Sequence, residues 1–412
     1  MRCWSCRLKR RGKSGMRMEG EGPVQFESTE IAFAYKNDRQ LRLAYWLFRL
    51  MSRPSWADFF ARVGSIVLSL RLPLSQWIIK QTIYRQFIGG ESLEDCEPVI
   101  ENLKNFECQV VLDYAVEGIQ EESAFDEARD QFIQTIHFAA NHPSVPVVTI
   151  KITAIAPFQI LEAWARPELR GTDFDEKWDR AITRLTEICD QATHYGVKVF
   201  IDAEESWIQD AIDFLADSRM KAYNRDEVYI YHTFQMYRHD RLAFLKKSHS
   251  NALAEGYILG AKLVRGAYME KERKRAKELG YPSPISDNKQ IVDRDYNEGL
   301  LFCAGHYENI ALCAATHNLI SSKLLADYIT TLPVRNDHPH LNFCQLYGMG
   351  DDITFNLAKY GFNVAKYLPY GPVKEAFPYL VRRAEENRAM SNEFNREYQL
   401  IRQEVIRRRH AD

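Results

Sequence analysis

The sequence predicts an α/β protein, a parallel (βα)8 barrel of the TIM type with an N-terminal helical arm. Three observations lead there. From Cys108 onward, eight short runs rich in β-branched residues alternate with long amphipathic stretches. Ionisable or hydrogen-bonding residues stand at the downstream end of every run, where a barrel builds its function. The glycine-rich fingerprint of the main rival, an open doubly wound sheet, is incomplete: Gly348-Met-Gly350-Asp-Asp-Ile353 has Ile where the third glycine belongs.

The chain has 412 residues, 46% of them hydrophobic, enough for a large core. A net charge of -2 and a pI near 6.6 argue against a nucleic-acid partner. Residues 1–25 read as a basic, disordered tail, with an overlong start or a transit peptide as alternatives, and they lack the apolar stretch of a secretory signal. Cys3-x-x-Cys6 within it lacks the second pair or the histidines that zinc would need. Most of the 8 cysteines lie in apolar runs and read as small buried hydrophobes in a reducing compartment. Residues 26–104 read as the helical arm. Its most apolar part, Trp56 to Ile88, is interrupted by Arg62, Arg71, Pro73 and Lys80 and is too broken to span a bilayer. It is either an amphipathic element at a membrane surface or a helix packed on the body.

The barrel is expected over 105–390, followed by a C-terminal helix over 391–412. Its runs are Gln109–Asp113, Val147–Lys151, Lys198–Asp202, Glu227–Tyr231, Ala261–Arg265, Asn309–Cys313, Leu341–Gln345 and Phe362–Lys366. Between them, Phe174–Tyr195, Trp207–Asn224 and Leu319–Thr330 have helical periodicity. At the run ends stand Asp113, Lys151 with Thr153, Asp202 with Glu204 and Glu205, and His232 with Gln235. Arg265 with Tyr268, Thr316-His317-Asn318, Tyr347 and Tyr367 follow. Singly each is unremarkable, since Asp113 could cap a helix and Thr316 could start one. Eight such ends together favour an enzyme site, because folding alone would tolerate Ser, Gly or Asn there.

After the eighth run, residues 373–387 have two faces. Phe377, Leu380, Val381 and Ala384 form a core-facing stripe. Tyr379, Arg382, Arg383 and Glu386 occupy another ridge, which is either a solvated charged face near a helix end or a clamp for a small anion. Two chemistries compete with the clamp. Metal-dependent hydrolysis would need His and carboxylate clusters, but His338-Pro-His340 precedes a strand and so lies at the wrong end of a barrel. A Schiff-base aldolase would need a desolvated lysine, for which Lys151, Lys262 and Lys366 are available.

Six motifs follow one another over roughly residues 105 to 390: Lys151-Ile-Thr153, Ile201-Asp-Ala-Glu-Glu205, Lys262-Leu-Val-Arg-Gly-Ala-Tyr268, Ala315-Thr-His-Asn318, Leu346-Tyr-Gly-Met-Gly350 and Tyr367-x-Pro-Tyr-Gly…Pro-Tyr-Leu-x-Arg-Arg-x-x-Glu-Asn387. In this order they resemble the proline dehydrogenase family. The resemblance implies a distorted (βα)8 barrel that uses FAD to oxidise L-proline to Δ1-pyrroline-5-carboxylate. This is the first step of proline degradation to glutamate, and the electrons pass to membrane quinone. It also implies that Lys151, Arg382 and Arg383 bind the substrate carboxylate, and that Tyr268, Leu346, Tyr367 and Tyr379 wall its ring. Asp202 with Ala203 would stand beside substrate and flavin. FAD would be held by His232, Gln235, Lys262, Val264, Gly266, Ala267, Thr316, His317, Asn318 and Glu386. Lys262 stands where many bacterial members have Arg, and His232 where Gln or Asn is usual. The related hydroxyproline oxidases tend to carry a smaller residue at the Tyr367 position. No metal and no nucleic acid are expected. The place implied is the cytoplasm, with peripheral contact at the inner membrane, on the mitochondrial matrix face in a eukaryote.

Overall fold

The computed structural model describes residues 24–51, 80–116, 119, 121–373, 375–376, 379–380 and 391–411. Eight parallel strands close a barrel in chain order. They are β1 (Gln109–Tyr114), β2 (Val147–Ile150), β3 (Lys198–Ile201), β4 (Ile230–Gln235), β5 (Leu259–Val264), β6 (Ile310–Ala315), β7 (Leu341–Leu346) and β8 (Asn363–Tyr370). These strands are buried almost throughout. Burial on both faces is why they read in the sequence as short apolar runs rather than as an alternation.

The described residues fall into two compact units: those of Glu117–Thr316 with Ile320–Phe343, and those of Gly15–Val116 with His317–Leu319 and Cys344–Asp412. In the first unit the register pairs Thr149 with Phe200, Phe200 with Tyr231, and Thr233 with Lys262. Side chains alternate along a strand, so these residues share one face and Ile201, His232 and Phe234 share the other. His232 and Phe234 meet Phe244 of the helix Arg241–Glu255, which makes theirs the outer, helix-covered face. The helix Phe174–Tyr195 buries Ala181, Leu185, Ile188, Cys189 and Ala192, the stripe its periodicity predicts. Ser206–Tyr223 and Leu319–Thr331 lie within one residue of their expected bounds.

In the second unit β1 pairs with β8, from Gln109 opposite Ala365 to Tyr114 opposite Tyr370. Its apolar core joins Phe33, Phe48, Phe87, Met349, Leu380 and Ile401. Those residues come from the helices Thr29–Phe33, Asp38–Met51, Arg85–Phe87 and Ser391–Ala411, together with Met349 and Leu380. Among the described residues, no helix is long and apolar enough to cross a membrane. The six described cysteines are free and buried.

Two strands differ from expectation by more than two residues at an end. The fourth was expected over Glu227–Tyr231 and runs over Ile230–Gln235. The Asn224 carboxamide explains the later start. It accepts the Tyr229 and Ile230 amides at 3.0 and 2.9 Å and donates to the Ile230 carbonyl at 2.7 Å, so the ladder begins only at Ile230. His232 and Gln235 therefore lie within β4 rather than beyond it. The eighth strand was expected to end at Lys366 and continues to Tyr370, with Tyr367 inside it. Pro369 is accommodated opposite Asp113, and its carbonyl accepts the Gly89 amide at 2.8 Å.

Candidate active site

The first unit gathers polar side chains on the inner face of β2 to β5. Thr233 and Lys262 are register partners and therefore face the same way. Both reach Asp202, which directly follows β3. Lys262 forms an ion pair with it, and the Thr233 hydroxyl lies 3.5 Å from its Oδ1. The Lys262 ammonium also sits 5.3 Å from the centre of the Phe200 ring, a cation–π arrangement. Gln235, two residues beyond Thr233 on the same face, is 2% exposed, and its side-chain carbonyl has no hydrogen-bond partner among the described residues. An unmet buried acceptor of this kind is one that a ligand donor could satisfy.

The loop that carries Asp202 is fixed from three sides. Thr153, on the turn that begins at Lys151, donates its amide to Glu204 Oε1 at 3.0 Å and its hydroxyl to Oε2. The Glu204 amide donates to Gln209 Oε1 at 2.8 Å. Glu272, fully buried, accepts both the amide and the hydroxyl of Ser206 at 2.6 Å. Burial pushes the Glu204 carboxyl up to about 7, against the hydrogen bonds from Thr153 and the charge of Lys151. Lys151 itself is 7% exposed at the end of β2. Ala203 is buried between Asp202 and Glu204.

His232 is not part of this group. Its Nε2 lies 2.9 Å from Asp213 Oδ1 on the outer face, where Arg241 reaches Oδ2 at 2.6 Å. Burial would raise the Asp213 carboxyl, but His232 and Arg241 hold it well below the usual carboxylate range. Thr233, one residue on, has the inner position instead. The sequence signal that separates them is the two-residue alternation counted from the correct strand start, which the misplaced fourth strand concealed.

After β5, Gly266 has φ 132, and a Cβ there would lie 2.5 Å from the Tyr237 ring, so only glycine fits. Val264 ends β5, Ala267 is exposed and Tyr268 is half-buried at the start of the helix Met269–Leu279. Arg265 ties this region to the end of β6, donating to Thr316 at 2.7 Å, Ser321 at 3.0 Å and Asp293 at 2.9 Å. Sequence reasoning noticed Arg265 only as a polar strand end.

The second unit holds the remaining described candidates. Lys366 turns to Asp351 of the helix Asp351–Lys359, so alternation puts Tyr367 on the inner face of β8. Gln345 likewise turns outward to Thr354 of that helix at 2.8 Å, leaving Leu346 on the inner face of β7. The Tyr347 amide donates to the Tyr367 carbonyl at 2.9 Å. His317 and Asn318 are half-buried, and a Cβ on Gly350, whose φ is 62, would lie 2.9 Å from His317 Nδ1. Tyr379 is 6% exposed. Arg382, Arg383 and Glu386 lie outside the described residues. His338 and His340 have loop roles: His340 Nδ1 contacts the Tyr307 carbonyl at 2.7 Å and the His340 amide donates to His338.

A closed parallel barrel with paired charges and an unmet amide carbonyl on its inner face belongs to the class that places its chemistry at the strand ends. The particular family follows from comparison. The proline dehydrogenase family model matches residues 96–396, and the chain belongs to that family. Proline dehydrogenase 2, mitochondrial, of Arabidopsis thaliana is 33% identical over 374 residues, covering 80% of this chain and 79% of that protein. The carbapenem antibiotics biosynthesis protein CarD of Pectobacterium carotovorum subsp. carotovorum is 35% identical over 363 residues, covering 85% and 94%. The solved structure of proline utilization A from Bdellovibrio bacteriovorus aligns with a TM-score of 0.69 at 21% identity. That alignment covers 90% of this chain and 40% of the longer one, so the chain spans about two fifths of it, and the likeness concerns the fold.

Proposed function

We propose that this chain oxidises L-proline to Δ1-pyrroline-5-carboxylate with FAD as its cofactor and a membrane quinone as the final acceptor, the first step of proline degradation. One observation supports the reading above others. Lys262, Asp202, Thr233 and Gln235 share the inner face of adjoining strands in a chain of the proline dehydrogenase family. The donor set suits a flavin, because Gln235 has an unmet buried carbonyl that a ring N–H could satisfy and Lys262 supplies a cation for an electron-rich edge. Gln235, Lys262, Val264, Gly266, Ala267, Thr316, His317, Asn318 and Glu386 would hold it. His232, turned to Asp213, would act only through its neighbours.

When bound, the flavin supplies an acceptor for the hydride that leaves the substrate carbon next to nitrogen. The chain's own residues do the rest. Lys151, with Arg382 and Arg383, would grip the carboxylate and so fix which ring carbon is presented. These cations also lower the pKa of the substrate amine and favour the neutral form that can release hydride. Asp202, held by Lys262 and Thr233, offsets that positive charge. Tyr268, Leu346, Tyr367 and Tyr379 would wall the ring and exclude water. The apolar 56–88 region, of which 56–79 lie outside the described residues, would make the peripheral membrane contact through which quinone is reached.

The test is a visible spectrum of the purified protein with and without L-proline. A flavin spectrum that bleaches on addition supports cofactor and substrate together. A protein purified without flavin that gains no proline oxidation when FAD is supplied would refute the reading. Borohydride with substrate should leave activity intact. Irreversible inactivation with mass added at Lys151 would instead support a Schiff-base mechanism.

A further inference from the structure

Two residues of the helix Ser206–Tyr223 link the outer face of β4 to the loop that carries Asp202. Gln209 and Asp213 lie four apart and are neighbours on one side of that helix. The Gln209 carboxamide donates to Asp213 Oδ1 at 2.7 Å and accepts the Glu204 amide at 2.8 Å. Asp213 Oδ1 also meets His232 Nε2 at 2.9 Å, and its Oδ2 accepts Arg241 at 2.6 Å. All four side chains are buried, with Gln209 only 1% exposed.

These bonds have a direction. A carboxylate can only accept and a backbone N–H can only donate. With Asp213 ionised against Arg241, Gln209 must turn its NH2 to Asp213 and its carbonyl to Glu204. The opposite orientation would set oxygen against carboxylate and NH2 against N–H, two buried mismatches. Asp213 therefore fixes the polarity of the carboxamide that holds the loop. Asp202 stands two residues before Glu204. Its amide donates to the Ile150 carbonyl at 2.9 Å, and its carboxylate meets Lys262 and Thr233 on the inner face. A shift of the Glu204 backbone reaches Asp202 through one residue, Ala203.

We propose that Asp213 and Gln209 are positioning residues: the Asp213 carboxylate, held by His232 and Arg241 on the outer face, orients the Gln209 carboxamide, which sets the Asp202 carboxylate on the inner face. The proposal rests on the role given to Asp202 above, and it gives His232 a part of its own. A helix cap would account for the contact between Gln209 and Glu204, but a cap needs no buried carboxylate behind it.

Reversing the polarity provides the test. In Asp213→Asn the new carbonyl follows Arg241 and the new NH2 meets Gln209, which then turns its own NH2 toward the Glu204 amide. In Gln209→Glu two carboxylates face each other. The double variant Gln209→Glu with Asp213→Asn keeps the charge of the pair and restores the direction. Its carboxamide donates to its carboxylate, the carboxylate accepts the Glu204 amide, and His232 meets the new NH2 as its other tautomer. Deuterium exchange at the Glu204 amide, read by mass spectrometry on the purified protein, requires no turnover. It should quicken about tenfold in each single variant and return to within about twofold of wild type in the double. The limiting rate at which L-proline bleaches the flavin should fall about tenfold in each single variant and recover likewise. A merely structural role would make the two losses add in the double instead.

Wild-type exchange and bleaching in Asp213→Asn, or a double variant as slow as both losses combined, overturns the proposal. Faster exchange with an unchanged bleaching rate also overturns it, because the loop then moves without Asp202. Should Asp213→Asn or the double variant fail to fold, Gln209→Met decides. It keeps the Asp213 contacts with His232 and Arg241 and removes the link to Glu204. A wild-type bleaching rate in it overturns the proposal, and a rate about tenfold lower supports it. Wild-type protein that bleaches with proline alongside unaltered variants removes this proposal alone. Wild-type protein that does not bleach removes the proposed function, and with it the role of Asp202.

Discussion

Consecutive residues on β8 belong to two different kinds of environment. Lys366, fully buried, faces a cluster in which charges meet one another. Asp351 takes Lys366 at 2.8 Å, Lys36 at 3.6 Å and the Tyr35 hydroxyl at 2.8 Å, and Arg396 grips the adjacent Asp352. This cluster joins the N-terminal helical region, β8, the helix Asp351–Lys359 and the C-terminal helix, all within one unit. In the other unit, Lys262 and Asp202 also pair, but beside them Gln235 has an unmet carbonyl and Glu204 is poised near neutrality. The residue types are alike. The difference lies in what each face does with its charges. On the helix-covered face the Asp351 carboxylate takes two lysines and a phenol from separate elements and so binds them together. On the inner face Lys262 and Asp202 pair beside the unmet Gln235 carbonyl, which a ligand could use.

The comparison is broken most readily at Lys366. Lys366→Met leaves the Asp351 carboxylate without its nearest cation at a site 1% exposed, and should cost about 3–5 kcal/mol in urea unfolding. A loss under about 1 kcal/mol would show that the cluster does not hold the unit together.

One residue along and on the opposite face, Tyr367 should act on specificity rather than on cohesion. A phenol on the inner face of β8 leaves little room for a 4-hydroxyl on the substrate ring. Overpacking of this kind costs about 1–3 kcal/mol, or roughly tenfold to a hundredfold in kcat/KM. Proline should therefore be preferred over trans-4-hydroxyproline, and Tyr367→Ser should narrow the gap, chiefly by losing proline activity. Equal efficiencies in the wild type, or an unchanged ratio in the variant, would show that Tyr367 does not set the choice.

A third expected effect is a pH slope. Glu397 on the C-terminal helix accepts the Gly350 amide at 3.0 Å, and burial together with Asp352 and Asp351 pushes its carboxyl up to about 8. The unfolded chain ionises this group near its ordinary value of 4.5, so between there and about 8 the folded state binds more protons. Its contribution to stability is thus full below the unfolded pKa and is lost as pH rises through the folded one. Glu397→Gln should flatten the fall in unfolding midpoint between about pH 5 and 8. An identical slope in the variant would remove Glu397 from the cluster's titration.

Much of this was legible before folding. Eight runs, their order and three helices read directly, because burial on both faces leaves short apolar stretches that few other folds produce. Lys151, Asp202 and Gln235 were legible as polar residues at or near strand ends, and Lys262 as a lysine within a strand. Thr233 was not, since its role depends on a strand start set by Asn224, six residues before Ile230 and outside the apolar run. The outward turn of His232 to Asp213 was concealed for the same reason, because a shifted strand start exchanges inner and outer faces. The Asp351 cluster was also hidden. Tyr35 and Lys36 lie more than three hundred residues from Asp351, and a lysine inside a strand looks catalytic until its counter-charge is seen.

The most direct test of the distinction between the two kinds of cluster is the anaerobic rate at which L-proline bleaches the flavin in Asp202→Asn, taken with the unfolding midpoint of the same sample. The substitution keeps the side-chain shape and removes the charge that Lys262 and Thr233 hold in place. The rate should fall about a hundredfold, as for loss of a preorganised charged group, while the midpoint moves far less than in Lys366→Met. An unchanged rate, or a loss of stability as large as that of Lys366→Met, would contradict the account.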